Sequence, residues 1–140
     1  MLVRCLYASR AAAGLSAERV ETILTQSRAN NPDLGVTGLL CYGDDVFIQV
    51  LEGGRDEVCE LYNAIVKDDR HTNVRILIFE EIAERMFGNW KMGQVDLDRI
   101  NQSLLLKYSE KPKLDPFSCS GKTTIALLNE LVATGSIITK

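Results

Sequence analysis

A chain of 140 residues with 46% hydrophobic content has room for one domain with a proper core and a short appendage. Its net charge of −3, with acidic and basic residues interspersed, is not the footprint of a nucleic-acid binder. No run approaches the roughly 20 apolar residues that span a bilayer, and Met1-Leu2-Val3-Arg4-Cys5 lacks the layout of a secretory signal, so a cytoplasmic protein without membrane or direct nucleic-acid partners is expected.

Four cysteines are present, none in a CxxC pair, and a single His71 cannot build a multi-histidine site, so no metal is expected. Cys5, Cys41 and Cys59 sit in apolar patterns and read as small buried thiols.

Residues 2–9 read as a strand, with Leu2, Leu6 and Ala8 on one face and Val3, Cys5, Tyr7 and Ser9 on the other. Ser16 reads as an N-cap for a helix over 17–29, whose Val20, Ile23, Leu24 and Ser27 share a face. Asn30-Asn31-Pro32-Asp33 is expected to stop it, because the residue before a proline avoids the helical region. Two strands follow, over 36–42 and 46–52, joined by a tight turn at Gly43-Asp44-Asp45. Gly53-Gly54 ends the second of them. A helix over 55–67 is expected to bury Val58, Leu61, Tyr62, Ile65 and Val66. A polar loop at 68–73, a strand over 74–82 and a short strand over 90–95 complete the series.

The order β-α-β-β-α-β-β gives an α+β, ferredoxin-like sandwich, a sheet with both helices on one face. A groove then lies between the helices, and Tyr7 and Gln49 sit on the two central strands beneath it. Beyond residue 96 the pattern changes. Residues 97–108 carry Leu97, Ile100, Leu104 and Leu105 at helical spacing. Pro112 and Pro116 mark a linker, and 122–133 carries Ile125, Leu128, Leu131 and Val132 on one side. A division into a domain at 1–96 and a helical extension at 97–140 follows. The extension packs on the other face of the sheet or offers a surface to a partner.

Within the run Val46-Phe47-Ile48-Gln49-Val50-Leu51-Glu52-Gly53, apolar residues occupy both faces, as in a strand covered on both sides. Gln49 interrupts it. Buried without partners, its carboxamide would cost about 1–3 kcal/mol. It is therefore satisfied by backbone, faces water at a strand edge, or is aimed at a polar ligand on the sheet. Elsewhere the bland readings prevail one by one. Ser120-Gly121-Lys122-Thr123-Thr124 resembles the tail of a phosphate-binding loop, but Pro116 stands where that motif needs glycine, and Ser120 reads as an N-cap. Asp44-Asp45 and Asp68-Asp69 read as turn residues with solvated charges. Tyr7, Trp90 and Met92 each read as packing.

Taken together these residues form a series: Leu6-Tyr7-Ala8-Ser9, Asn31, Thr37-Gly38-Leu39-Leu40, Phe47 to Gly53, Asp68, Arg70-His71 and Arg85-Met86-Phe87-Gly88-Asn89-Trp90-Lys91-Met92. In order and spacing, over residues 1 to about 95, the series resembles the BLUF family of blue-light sensors that use FAD. The resemblance implies a short, stand-alone sensor rather than an enzyme, with FAD held non-covalently between the two helices; FMN and riboflavin are the alternative flavins. It assigns the light-sensing phenol to Tyr7 and the switching amide to Gln49. Trp90 and Met92 become the pair on the fifth strand whose placement reports the switch. Asn30 and Asn31 would serve the pyrimidine end of the ring, with Asp68, Arg70 and His71 on the ribityl or pyrimidine side. Ile23 and Ile65, with Ser27, line the slot from facing helices. The signal would pass to an unidentified protein, with a homodimer left open. An excited flavin is a strong oxidant, a phenol can supply an electron and a proton, and a carboxamide exchanges donor for acceptor at nearly constant size by rotation or tautomerisation. The competing class is a flavin-dependent redox enzyme on the same scaffold, against which stands the lack of a nicotinamide fingerprint or a nucleophile–base pair. A third reading is an interaction domain without a cofactor.

Overall fold

Antiparallel pairing of β1 (Leu2–Ala11) with β3 (Val46–Gly54) forms the middle of a five-stranded sheet. The structure, a computed structural model, describes residues 1–137. β2 (Thr37–Gly43) adds to β3, β4 (His71–Ile82) adds to β1, and β5 (Gly93–Asp96) lies parallel to β2, giving the order β4-β1-β3-β2-β5. α1 (Ala17–Leu34) and α2 (Arg55–Lys67) cover one face, in the ferredoxin-like arrangement. α3 (Gln102–Tyr108) and α4 (Gly121–Ala133) pack on the other.

Alternation along the strands separates two cores. Val3, Cys5, Tyr7, Phe47 and Leu51 face α1 and α2, where Val20, Leu24 and Val58 meet them. Leu6, Ala8, Ile48 and Val50 face the opposite way, against Leu105, Leu127, Leu128 and Leu131. Each large apolar side chain removed from water in this way contributes about 1.5–3 kcal/mol. The hairpin between β2 and β3 turns on Asp44 and Asp45, both at positive φ (51° and 60°), a conformation that Asp tolerates and that suits a two-residue loop.

Several boundaries differ from the sequence reading. α1 runs through Pro32 to Leu34. The proline forgoes the backbone bond it would donate to the Arg28 carbonyl, but the last turn is closed beyond it. Gly35, left-handed at φ 69°, donates to Pro32 O at 3.1 Å, and Val36 N–H reaches Asn31 O at 2.9 Å. Asn30 and Asn31 therefore stand on the helix, not in a loop after it. β4 begins at His71, because the polar residues 71–72 pair with Ala11 and Arg10 of β1. The stretch 97–108 is interrupted: a 3₁₀ turn at Leu97–Arg99 is capped by Asp96, and Asn101 opens α3 by accepting from Ser103 N–H at 2.8 Å. Contrary to the apolar pattern around them, Val66 is exposed on α2 and Cys59 is only partly buried. Ser120 caps α4, accepting from Thr123 N–H at 3.0 Å.

Candidate functional site

Strand register brings the central side chains of the site into one row. Tyr7 lies opposite Gln49 across β1 and β3, and Leu40 lies opposite Gln49 across β2 and β3. Above this row α1 and α2 leave a cleft of about 180 Å³. Ile23 of α1 and Leu61, Ala64 and Ile65 of α2 supply apolar walls. Gln26, Ser27, Asn30 and Asn31 of α1 supply polar groups, and Asp68, Arg70 and His71 close one end. Grooves of about 690 and 830 Å³ lie beside α3 and α4, so size does not select the site. The convergence of directional polar groups on an apolar slot does.

At the floor of the cleft runs a buried chain of hydrogen bonds. The Tyr7 phenol donates to Gln49 Oε1, and Gln49 Nε2 donates to Met92 Sδ at 3.4 Å. All three residues are almost fully buried. The Gln49 carboxamide is thus held by side chains, and its second amide hydrogen leaves it capacity for a ligand in the cleft it lines. Burial pushes the Tyr7 phenol well above its ordinary range, and neighbouring Cys5, Asp68 and Tyr62 push it further. It stays a neutral donor. The Tyr62 ring meets Tyr7 edge-on, with centroids 5.9 Å apart.

The polar end is built on a short loop. The Asp68 carboxylate accepts from Arg70 N–H and Nε, both at 2.9 Å, and Arg70 Nη1 donates to Gln26 Oε1 at 3.3 Å. Arg70 so ties the end of α2 to α1. Its hydrogen bonds hold Asp68 below the usual carboxylate range, against the opposing effect of burial. His71 stands 3.2 Å from Ser9 Oγ through Nδ1 and packs its ring on Phe47. Burial lowers its pKa, with Asp68 opposing and Arg70 adding to the shift.

Of the residues expected here, Tyr7, Ile23, Ser27, Asn30, Asn31, Gln49, Ile65, Asp68, Arg70 and His71 line the cleft, and Met92 touches it through Gln49. The expectation for Trp90 and Met92 is corrected: neither lies on β5, which starts at Gly93. Backbone groups of 90–92 are taken up otherwise, Trp90 O by Gly38 N–H, Lys91 O by Asn31 Nδ2 and Met92 O by Arg28 Nε, so no ladder forms there. Met92 enters the core under α1 and α2, whereas Trp90 packs against the opposite core. Gln26, Leu40, Leu61 and Ala64 were missed. The two helix spacings, 23-26-27-30 and 61-64-65, carry three of them, and counting back from the Asp44-Asp45 turn places Leu40 opposite Gln49.

The sequence profile of BLUF, sensors of blue-light using FAD, matches residues 2–93. The chain belongs to the BLUF family. Among its relatives is the blue light- and temperature-regulated antirepressor BluF of Escherichia coli K12, 31% identical over 97 residues, which are 69% of this chain and 24% of that protein. Its curated relatives are longer proteins, of which the chain spans a quarter or less. Among solved structures, BlsA in its photo-activated state superposes with a TM-score of 0.86 at 32% identity, covering 94% of this chain and 95% of that one. The dark state of the BLUF protein BlrB gives 0.80 at 29% identity, with 96% of each chain covered. As a BLUF protein the chain is a blue-light sensor of the flavin-using kind. The cleft fits such a group: apolar side chains from two facing helices flank the slot for a flat ring, and amide, hydroxyl and phenol groups stand at its edges. Among the described residues no helix is long and apolar enough to cross a membrane.

Proposed function

We propose that the Tyr7–Gln49–Met92 chain is the light switch of this BLUF protein, with FAD as the flavin in the cleft between α1 and α2. The observation that carries it is the buried hydrogen-bond chain on the cleft floor. The bound flavin absorbs blue light and, once excited, is a strong one-electron oxidant. Tyr7 would supply an electron and its phenolic proton to the excited ring and take both back as the ring relaxes. Gln49 then exchanges the hydrogen-bonding ends of its carboxamide, which breaks its bond to Met92 Sδ and frees the segment before β5. Asn30, Asn31 and Ser27 orient the ring from α1, Ile23 and Ile65 flank it, and Asp68, Arg70 and His71 serve the polar end. Trp90, on the opposite face, moves with the segment it shares with Met92.

In this reading residues 1–96 are the sensor and 97–140 carry the message to a protein partner in the cytoplasm, or to a second copy of the chain. An antirepressor among the relatives supports a protein target. The test is a difference spectrum of the purified yellow protein, dark against blue-illuminated. A reversible red shift is the expected result. Yellow protein that shows no shift and is bleached by NADH with turnover would favour a redox enzyme, and colourless protein that takes up no flavin would refute both.

A further inference from the structure

β4 and β5 are the two edge strands, so the segment between them must travel past the whole end of the sheet. It also changes face. Phe87 is fully buried in the core beneath α3 and α4, and Met92 is buried in the core beneath α1 and α2. Its far end is held by α1, through Arg28 on Met92 O at 3.1 Å and Asn31 on Lys91 O at 3.3 Å. Its near end is held by one carboxylate. Glu52, fully buried, accepts from Phe87 N–H at 2.6 Å and Met86 N–H at 3.0 Å on Oε1, and from Arg4 Nε at 2.8 Å on Oε2. Arg85 completes the clamp, donating to Thr37 Oγ1 at 2.9 Å, to the Glu52 carbonyl at 3.1 Å and to Gly35 O at 2.7 Å.

Only an acceptor with two oxygens satisfies such a set of donors. A leucine would fill the space, and burying an ion pair adds little stability over apolar packing. What the carboxylate adds is position. Glu52 stands three residues from Gln49 on β3 and points to the opposite face, so one strand grips both ends of the segment that carries Met92.

We propose that Glu52 is a positioning residue for the switch: by fixing Met86 and Phe87 it sets where Met92 stands against Gln49, and hence how long the illuminated state lasts. The proposal rests on the switch reading above. Loosening the clamp removes part of what holds Met92 in its resting seat, so the return to that seat slows. The flavin-lining groups are on the other face and keep the flavin.

The experiment follows dark recovery of the red-shifted absorbance in flavin-loaded protein after a blue pulse. Glu52→Gln turns an amide nitrogen toward donors, and recovery is expected to slow by about tenfold, the weight of about one hydrogen bond. Arg85→Met, at a partly exposed site, leaves the Glu52–Arg4 pair intact and keeps the test alive if Glu52→Gln does not fold. Leu131→Val, at a buried position of α4 that makes none of the clamp's hydrogen bonds, controls for a general loss of stability. Slowing in the clamp variants with normal recovery in Leu131→Val is the expected result. Recovery that is unchanged or faster in the clamp variants, or slowing equally in Leu131→Val, overturns the role of Glu52 alone. A wild-type protein without any light-induced shift overturns the switch reading, and this proposal with it.

Discussion

Gln49 accepts from Tyr7 with its oxygen and donates to Met92 with its nitrogen, so each neighbour senses a different end of one carboxamide. Tyr7→Phe removes the donor to a buried oxygen, which costs about 1–3 kcal/mol of stability. Flavin should still bind, but the normal red-shifted state should be lost. Gln49→Leu should also bind flavin without the shift, since no amide remains to rearrange. A reversible shift of normal size in either variant would remove that residue from the switch. Asn31 is 1% exposed and already donates to Lys91 O, so Asn31→Ala loosens both the cleft and the Met92 segment. Losing one hydrogen bond of about 0.5–1.5 kcal/mol should weaken flavin retention two- to tenfold, which a titration of released flavin measures. Equal affinity would make Asn31 a purely structural anchor. His71 adds a pH dependence. In the fold its pKa lies below the ordinary imidazole value, chiefly because burial disfavours the imidazolium. The unfolded chain therefore takes up the proton first as pH falls below that value. Stability attributable to His71 is complete above that range and is lost on acidification through the folded pKa. Urea midpoints should hold steady from neutral pH upward and fall on the acid side. His71→Gln should flatten the part of that fall just below the ordinary imidazole range; an unchanged slope would assign it elsewhere.

Among the elements, the β2–β3 hairpin is closely constrained at Gly38. Gly38 approaches β3 so closely that a Cβ would stand 1.9 Å from Val50 O, a backbone atom that cannot swing aside. Gly38 N–H also holds Trp90 O at 3.2 Å, which fixes the segment before β5. Gly38→Ala should force the two strands apart and destabilise by about 1–3 kcal/mol or more. Because the displaced strand carries Gln49, the flavin spectrum should change as well, and calorimetry with absorbance on one sample checks both. A normal melting temperature would show that the strands give way more easily than their spacing implies. The hairpin turn itself tolerates change better, since Asp44 and Asp45 are exposed and Asn or Gly accept the same positive φ.

At the scale of the whole molecule, the sheet is a partition between two cores. The sensor cleft is on one side; α3 and α4 are on the other, seated by the buried Leu105, Leu127, Leu128 and Leu131. Leu131→Ala should cost about 2–5 kcal/mol, as large-to-small changes in a packed core do. If residues 97–140 carry the output, continuous blue light should change hydrogen-exchange protection in α3 and α4, since Met92 is followed directly by β5 and then by the turn that leads into α3. Changes confined to α1, α2 and the segment 85–92 would leave α3 and α4 as a fixed cover and move the search for an output surface to the other face.

Alternation, helical spacing and turn chemistry are local, and they were enough for the element order, the ferredoxin-like class and the faces of β1 and β3. They also placed Tyr7 and Gln49 beneath the groove and Ile23 and Ile65 on its facing helices, whereas Asn30, Asn31, Asp68, Arg70 and His71 stood out only through the resemblance to the BLUF family. Where α1 ends and where β5 begins were not local questions. Pro32 argues for a stop, but a Gly35 cap and the docking of Asn31 on Lys91 O carry the helix past it. Trp90 and Met92 look like neighbours on one strand, yet Arg28, Asn31 and Gly38, distant in sequence, take their backbone groups. Only the tertiary structure sends Met92 to Gln49 and Trp90 to the opposite core, and only it brings the Glu52 carboxylate to the backbone of Met86 and Phe87. A backbone group bonds to whatever donor or acceptor the assembled fold presents, and that partner is not written in the residues beside it.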